Sequence, residues 1–174
     1  MSGYDRGVFA QDFTSGLGVN MKFRVFLAAD HRGVQLKSEI ARWLARQGHD
    51  PVDLGSHDEN AACDYPGYSL LLGEQVAAAP ESRGILICMT GIGHSIAANK
   101  VPGVYAALCY NKEAAVLSRQ HNNANVLVLG SKFVGSDELL GIIEAWLQAD
   151  FEGGRHLRRF EQIREIEKKF MKES

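Results

Sequence analysis

From Lys22 onward, short apolar runs alternate with stretches of helical periodicity, and this alternation constrains the chain more than any other feature. The runs are Arg24 to Ala29 (RVFLAA), a shorter one around Pro51 to Leu54, Gly84 to Cys88 (GILIC), Tyr105 to Cys109 (YAALC) and Val126 to Gly130 (VLVLG). Between them lie predicted helices. Val34 to Gln47 places Leu36, Ile40, Trp43 and Leu44 at helical spacing and stops at Gly48. A second helix opens at Asp64-Tyr65-Pro66 and fades by Pro80. Ser95 to Lys100, Glu113 to His121 and Glu138 to Gln148 follow. Strands apolar on both faces require a helix layer on each side. The expected fold is therefore α/β: a three-layer α/β/α sandwich with a five-stranded parallel, Rossmann-like sheet and a C-terminal helix.

A chain of 174 residues suits one domain. Residues 21–174 are expected to form it, without an internal repeat. Residues 1–20 carry Gly3, Gly7, Gly16 and Gly18 among polar residues and lack the apolar core of a signal peptide. They read as a flexible extension, with Met21 as an alternative start. Nineteen Lys and Arg against 21 Asp and Glu leave a net charge of -2, which speaks against a nucleic-acid partner. The apolar runs fall far short of the roughly 20 residues of a membrane helix, so no membrane partner is expected and the cytoplasm is the default location. Cys63, Cys88 and Cys109 are too widely spaced for a zinc site or a disulfide framework.

In open parallel sheets, ligands bind beyond the carboxyl ends of the strands. Asp30 and His31 follow the first strand, and Cys88 to Ser95 follow the third. Arg119 to Asn123 follow the fourth helix, and all three groups read as lying at one end of the sheet. Gly91 and Gly93 permit a sharp strand-to-helix turn that exposes amides to an anion. The loop is not a dinucleotide fingerprint, because position 96 is Ile96 and no lysine follows the glycines. Cys88 reads either as a small buried hydrophobe or as a thiolate favoured by a helix start. Thr90 reads as a hydrogen-bond donor to substrate or as a helix cap. His121 suits either a helix cap or catalysis, and Asp30 beside His31 suits an oriented imidazole. The last segment, Arg155 to Lys172, is rich in Lys and Arg and bears an apolar stripe of Phe160, Ile163, Ile166 and Phe170. Arg155 and Arg159 stand one helical turn apart, placed to grip one phosphate or simply to face solvent.

Five longer stretches, in order, carry a resemblance. They are AADHRG (Ala28 to Gly33), DYP (Asp64 to Pro66), GILICMTGIGHSIAANKVPG (Gly84 to Gly103), SRQHNNANVLVLGS (Ser118 to Ser131) and EGGRHLRR (Glu152 to Arg159). Together they resemble the ribose-5-phosphate isomerase B family, which also includes galactose-6-phosphate and allose-6-phosphate isomerases. The resemblance implies aldose–ketose isomerisation of a sugar phosphate without metal or organic cofactor. It implies that Cys88 is the base moving a proton between C1 and C2, and that Thr90 with the amides of Gly91, Ile92 and Gly93 steadies the enediolate. His121 would open the furanose ring, with Asp30 near the ring oxygen. His31, Lys132, Arg155 and Arg159 would hold the phosphate, and Tyr65 and Asn122 would line the sugar. A homodimer or homotetramer is implied, with the site at the subunit interface. Four positions depart from the family pattern. Lys132 replaces an arginine, Met89 a glycine and Tyr105 a frequent arginine. His94 stands where relatives carry an apolar residue or, when the cysteine is missing, a glutamate base. The resemblance thus leaves open another hexose or tetrose phosphate as substrate, or a sugar-phosphate-binding protein without catalysis.

Overall fold

The structure, a computed structural model, describes residues 21–170. The expectation for residues 1–20 and the last two residues of the predicted tail lie outside them. Strand β1 (Arg24–Ala29) passes through a 3-10 turn (His31–Gly33) into α1 (Val34–Arg46) and then β2 (Asp50–Asp53). Next come α2 (Tyr65–Ala78), β3 (Arg83–Cys88), α3 (Ile92–Ala98) and β4 (Ala106–Leu108). The chain ends through α4 (Lys112–Asn122), β5 (Val126–Gly130), α5 (Ser136–Gln148) and α6 (Gly154–Phe170). The five strands form one parallel sheet in the order β2-β1-β3-β5-β4.

Alternation along the strands divides the core into two layers. Val25, Leu27, Ala29, Ile85, Ile87, Leu127 and Leu129 point toward α1, α4 and α5, where they meet Ile40, Leu44, Ile142 and Trp146. Phe26, Ala28, Leu86, Val126 and Val128 point the other way, onto Leu72 and Val76 of α2 and Ala98 of α3. The three-layer sandwich is as expected. Strands apolar on both faces are found only at the centre, in β1, β3 and β5. The edge strands β2 and β4 are partly exposed, each with a neighbour on one side alone; β2 keeps its predicted length one residue earlier, and β4 is two residues shorter than the predicted Tyr105 to Cys109. Lys37 of α1, fully buried, forms an ion pair with Asp53 at the end of β2 and ties that edge to the layer.

Two features of the topology position the site. The chain leaves β1 for β2 on one side and then crosses to β3 on the other, so a crevice opens where the carboxyl ends of β1 and β3 diverge. The helices also return the chain to the opposite edge. Helix α4 ends there in a left-handed cap at Asn123 (φ 49°), whose amide donates to Arg119 O while Ala124 N donates to Ser118 O. Among the described residues, no helix is long and apolar enough to cross a membrane.

Candidate active site

At the carboxyl edge, Asp30 caps the 3-10 turn by accepting from Arg32 N at 2.9 Å. Its other oxygen lies 3.9 Å from Cys88 Sγ, which donates to it across the β1/β3 crevice. Cys88 is the last residue of β3 and half-buried, neither sealed in the core nor free on the surface. Its carbonyl accepts from Ser131 N at 2.9 Å, and Met89 O accepts from Lys132 N at 2.9 Å. These bonds pin the β5 exit against the β3 exit and bring Lys132 to the same rim.

Backbone geometry then shapes the loop. Gly91 has φ 80°, and a Cβ there would stand 2.5 Å from Leu108 Cδ1, so only glycine fits both the turn and the packing. Gly91, not Thr90, takes the N-cap position of α3. Thr90 Oγ1 is only weakly engaged, accepting from Ile92 N at 3.4 Å, while its carbonyl accepts from Tyr110 Oη at 2.9 Å. The Tyr65 ring covers Gly93 so closely that a Cβ would lie 2.6 Å from it. Asp30, His31, Tyr65, Cys88, Thr90, the Gly91–Gly93 loop and Lys132 therefore form one cluster.

Behind that cluster lies a histidine whose burial the sequence did not disclose. His94 is fully buried, its Nδ1 is 2.6 Å from Ser69 Oγ, and its ring meets Tyr65 edge-on. Burial pushes its pKa down to about 4, against a smaller upward pull from Asp30, so it is neutral at ordinary pH. Cys63, read as inert, lies 3.8 Å from His31 Nδ1 and fixes that ring's outlook. Cys109 is buried, and burial raises its thiol to about 11, in keeping with a core role. Met89 projects beside Cys88, with its sulfur 3.6 Å from an Arg32 nitrogen.

His121, Asn122, Arg155 and Arg159 are not in this cluster, which corrects the expectation that all the polar groups share one end. Cys88 is in register with Gly130 and Gly84 with Val126, so the length of β5, four residue steps or about 13 Å, separates the two edges. His121 lies at the amino edge because α4 runs antiparallel to the strands. There its ring stacks on His156 of α6, centroids 4.1 Å apart. Glu152 Oε2 lies 3.6 Å from His156 Nε2 and 4.0 Å from His121 Nε2. Glu152 N also donates to Gln120 O, clamping the α6 approach onto α4.

The ligand atoms of His121, Glu152 and His156 all fall within 4.8 Å of one another, the spacing of a metal site. The local charge argues for an anion instead. Arg155 Nε donates to His156 Nε2 at 3.2 Å, and Arg159 stands exposed one turn further along α6. The pKa of His156 is held below the ordinary value by burial first, and then by His121 and Arg155. Tyr105 is also at this edge, edge-on to Phe160 and 3.2 Å from Glu167. Its departure from the family pattern therefore lies away from the Cys88 crevice of its own chain.

Residues 25–163 match the model of the Ribose/Galactose Isomerase family. The chain belongs to this family. Ribose-5-phosphate isomerase B of Escherichia coli (strain K12) is 43% identical over 146 residues, covering 84% of this chain and 97% of that protein. The structure of Clostridium thermocellum ribose-5-phosphate isomerase B superposes with a TM-score of 0.82 at 47% identity, covering 85% of this chain and 99% of that one. Ribose-5-phosphate isomerase B from Mycoplasma genitalium, solved with bound ribulose-5-phosphate, is 46% identical with a TM-score of 0.82, covering 85% and 98%. Membership of the isomerase family accounts for a polar cluster at the β1/β3 switch point. The sequence signal that would have separated the second cluster was available in helix polarity, since a helix joining parallel strands delivers its last residues to the amino edge. Glu152 was legible too, four residues before His156.

Proposed function

We propose that the protein is an aldose–ketose isomerase that interconverts ribose 5-phosphate and ribulose 5-phosphate through an enediolate. The observation that carries this reading is the ribulose-5-phosphate-bound Mycoplasma genitalium relative, which shares the fold and 46% of its residues with this chain. Cys88, as thiolate, takes the C2 proton of the open-chain aldose and returns it to C1, while a proton passes from O2 to O1. No electrons enter or leave, so the reaction asks for a base and an oxyanion cradle. Thr90 and the amides of Gly91, Ile92 and Gly93 form the cradle. Asp30 sits at the ring oxygen, and Tyr65 and Asn122 line the sugar. His31, Lys132, Arg155 and Arg159 hold the phosphate, whose binding energy orients the distant carbons. A sugar-phosphate substrate suits a protein of the cytoplasm.

One chain holds these residues as two halves at opposite edges of the sheet. A homodimer whose two-fold axis sets the Cys88 half of one copy against the His121 half of the other would complete two equivalent sites. The α6 stripe supports this. Phe160 is buried on its own chain, whereas Ile163, Ile166 and Phe170 remain exposed, apolar surface that a second copy would cover.

The test is ketose formation from ribose 5-phosphate by wild type and Cys88→Ala with EDTA present. Turnover in wild type and its loss in a folded Cys88→Ala support reaction and base together. Full activity in Cys88→Ala overturns the base assignment. A wild type inactive on ribose 5-phosphate but active on allose 6-phosphate would move the substrate, a result that Met89 and His94 beside the crevice would explain.

A further inference from the structure

A cavity lies on the amino edge, lined by none of the residues assigned above to the substrate. It encloses about 250 Å³ between the end of α2, the start of β4, the end of α4 and the inner face of α6. Arg83, Arg119 and Arg164 line it, together with Tyr105, Asn125 and Phe160. Arg119 is 5% exposed, and its Nε has no hydrogen-bond partner among the described residues. One of its terminal nitrogens is committed to Asn123 Oδ1 (3.0 Å) and Ala124 O (2.7 Å), which fixes the guanidinium in place.

The surrounding charge is unbalanced. Among the described residues, none of the three guanidinium groups has a carboxylate within ion-pair distance. Of the acids on α6, Glu167 is already bound to Gly103 N at 2.8 Å and Tyr105 Oη at 3.2 Å, and Glu165 is paired with Lys168 at 2.9 Å. Glu81 and Asp150 act on these arginines only at longer range. Burial first and repulsion from Arg83 second, against a smaller upward pull from Asp150, bring the Arg119 pKa down to about 10. A buried guanidinium with an unmet donor, lining a cavity together with two further guanidinium groups, is stabilised by an anion held there. Arg155 and Arg159 do not share the cavity. Arg164 follows Phe160 by four residues and so lies on the face α6 turns inward.

We propose that this cavity is a binding site for a small organic anion, a phosphate or carboxylate group on a short carbon skeleton, separate from the isomerase site. The guanidinium groups would take the charged end, and Val76, Ala77 and Phe160 give the skeleton an apolar wall. Because the cavity shares α4 and α6 with the His121 and Arg155 cluster, an occupant would bear on the half of the site that a second copy is proposed to use.

The test follows the Arg119 Nε–Hε and Gly103 amide resonances of the full chain during titration with inorganic phosphate, with sodium malonate, and with chloride at matched ionic strength. Saturable shifts with phosphate or malonate but not with chloride are expected. The arm that saturates at lower concentration identifies the preferred head group. Arg164→Gln, a change at an exposed position, should weaken that binding by about tenfold. Arg155→Ala should leave it unchanged. Absence of a saturable shift with either anion, equal shifts with chloride, or full affinity in a folded Arg164→Gln would each overturn the proposal.

Discussion

The two edges of the sheet carry the two halves of the proposed site, and they are built differently. At the carboxyl edge, strand ends and glycine turns fix the functional atoms. Cys88 terminates a central strand, Asp30 is held by the Arg32 amide, and Gly91 admits no side chain. At the amino edge, the groups ride on helix ends. His121 lies in the last turn of α4, and Arg155 and Arg159 are exposed on the first turns of α6, where Gly153 and Gly154 have open space around them. Rigid backbone suits a base and oxyanion donors, whose geometry must hold within fractions of an ångström. Long guanidinium side chains on an adaptable helix suit phosphate capture, which tolerates more play.

The largest effect separates chemistry from capture. Cys88→Ala should lower kcat by about 10²- to 10⁴-fold, the range of one positioned acid or base, with KM little changed. Steady-state kinetics with a circular dichroism check of folding decide it, and an unaltered kcat would remove Cys88 from the mechanism. Mixing is the sharper trial of the two halves. Cys88→Ala and the double variant Arg155→Ala/Arg159→Ala should each be nearly inactive alone. After subunit exchange, half the dimers would be mixed and each would hold one intact site of two, restoring about a quarter of wild-type activity. No recovery after verified exchange would mean that the halves do not meet across subunits.

The carboxyl edge also has a signature in acid. His94 has a folded pKa of about 4 against an ordinary 6.5, so the unfolded chain takes up a proton that the folded chain refuses between those values. Stability therefore falls as pH drops from about 6.5 toward 4, by roughly 3 kcal/mol from this residue. Urea unfolding across that window should show a shallower slope in His94→Leu than in wild type. Equal slopes would show that burial does not hold His94 neutral. The amino edge responds to substrate instead. Arg155→Ala should cost about 1.5–3 kcal/mol of productive binding, read as a loss of roughly 10- to 150-fold in kcat/KM. An unchanged KM and efficiency would release Arg155 from the phosphate.

The central strands, both helix layers and the carboxyl-edge cluster were legible because each follows from local pattern. Apolar runs such as VLVLG bury on both faces, and GIG after a strand turns into a helix whatever surrounds it. The edge strand β4 was read too long because Tyr105 and Cys109 lie at the ends of a strand with one neighbour alone, a fact of sheet order and not of composition. His121 was placed at the wrong end because its motif was read without the direction of α4, whose last turn returns to the amino edge. His94 could not be read as buried, since its pairing with Ser69 joins residues 25 apart in sequence. The arginine cavity escaped notice for the same reason. Arg83, Arg119 and Arg164 come from three separate elements, and nothing near any one of them marks the other two.

The smallest effect compares the two edges at one kind of residue. Gly91 and Gly154 both have positive φ, 80° and 52°, so an alanine at either bears the left-handed backbone strain of about 1–2 kcal/mol. Their surroundings differ. A methyl at Gly154 meets nothing within 4 Å, whereas at Gly91 it would stand 2.5 Å from Leu108 Cδ1 and 3.3 Å from Val128 Cγ1. Gly154→Ala should therefore cost the strain alone, and Gly91→Ala the strain plus repacking of the layer that supports the oxyanion loop, typically a further 1–3 kcal/mol. Thermal unfolding of the two variants measures the difference. Equal losses would mean that the carboxyl edge yields as easily as the amino edge, and the contrast between a rigid half and an adaptable half would fail.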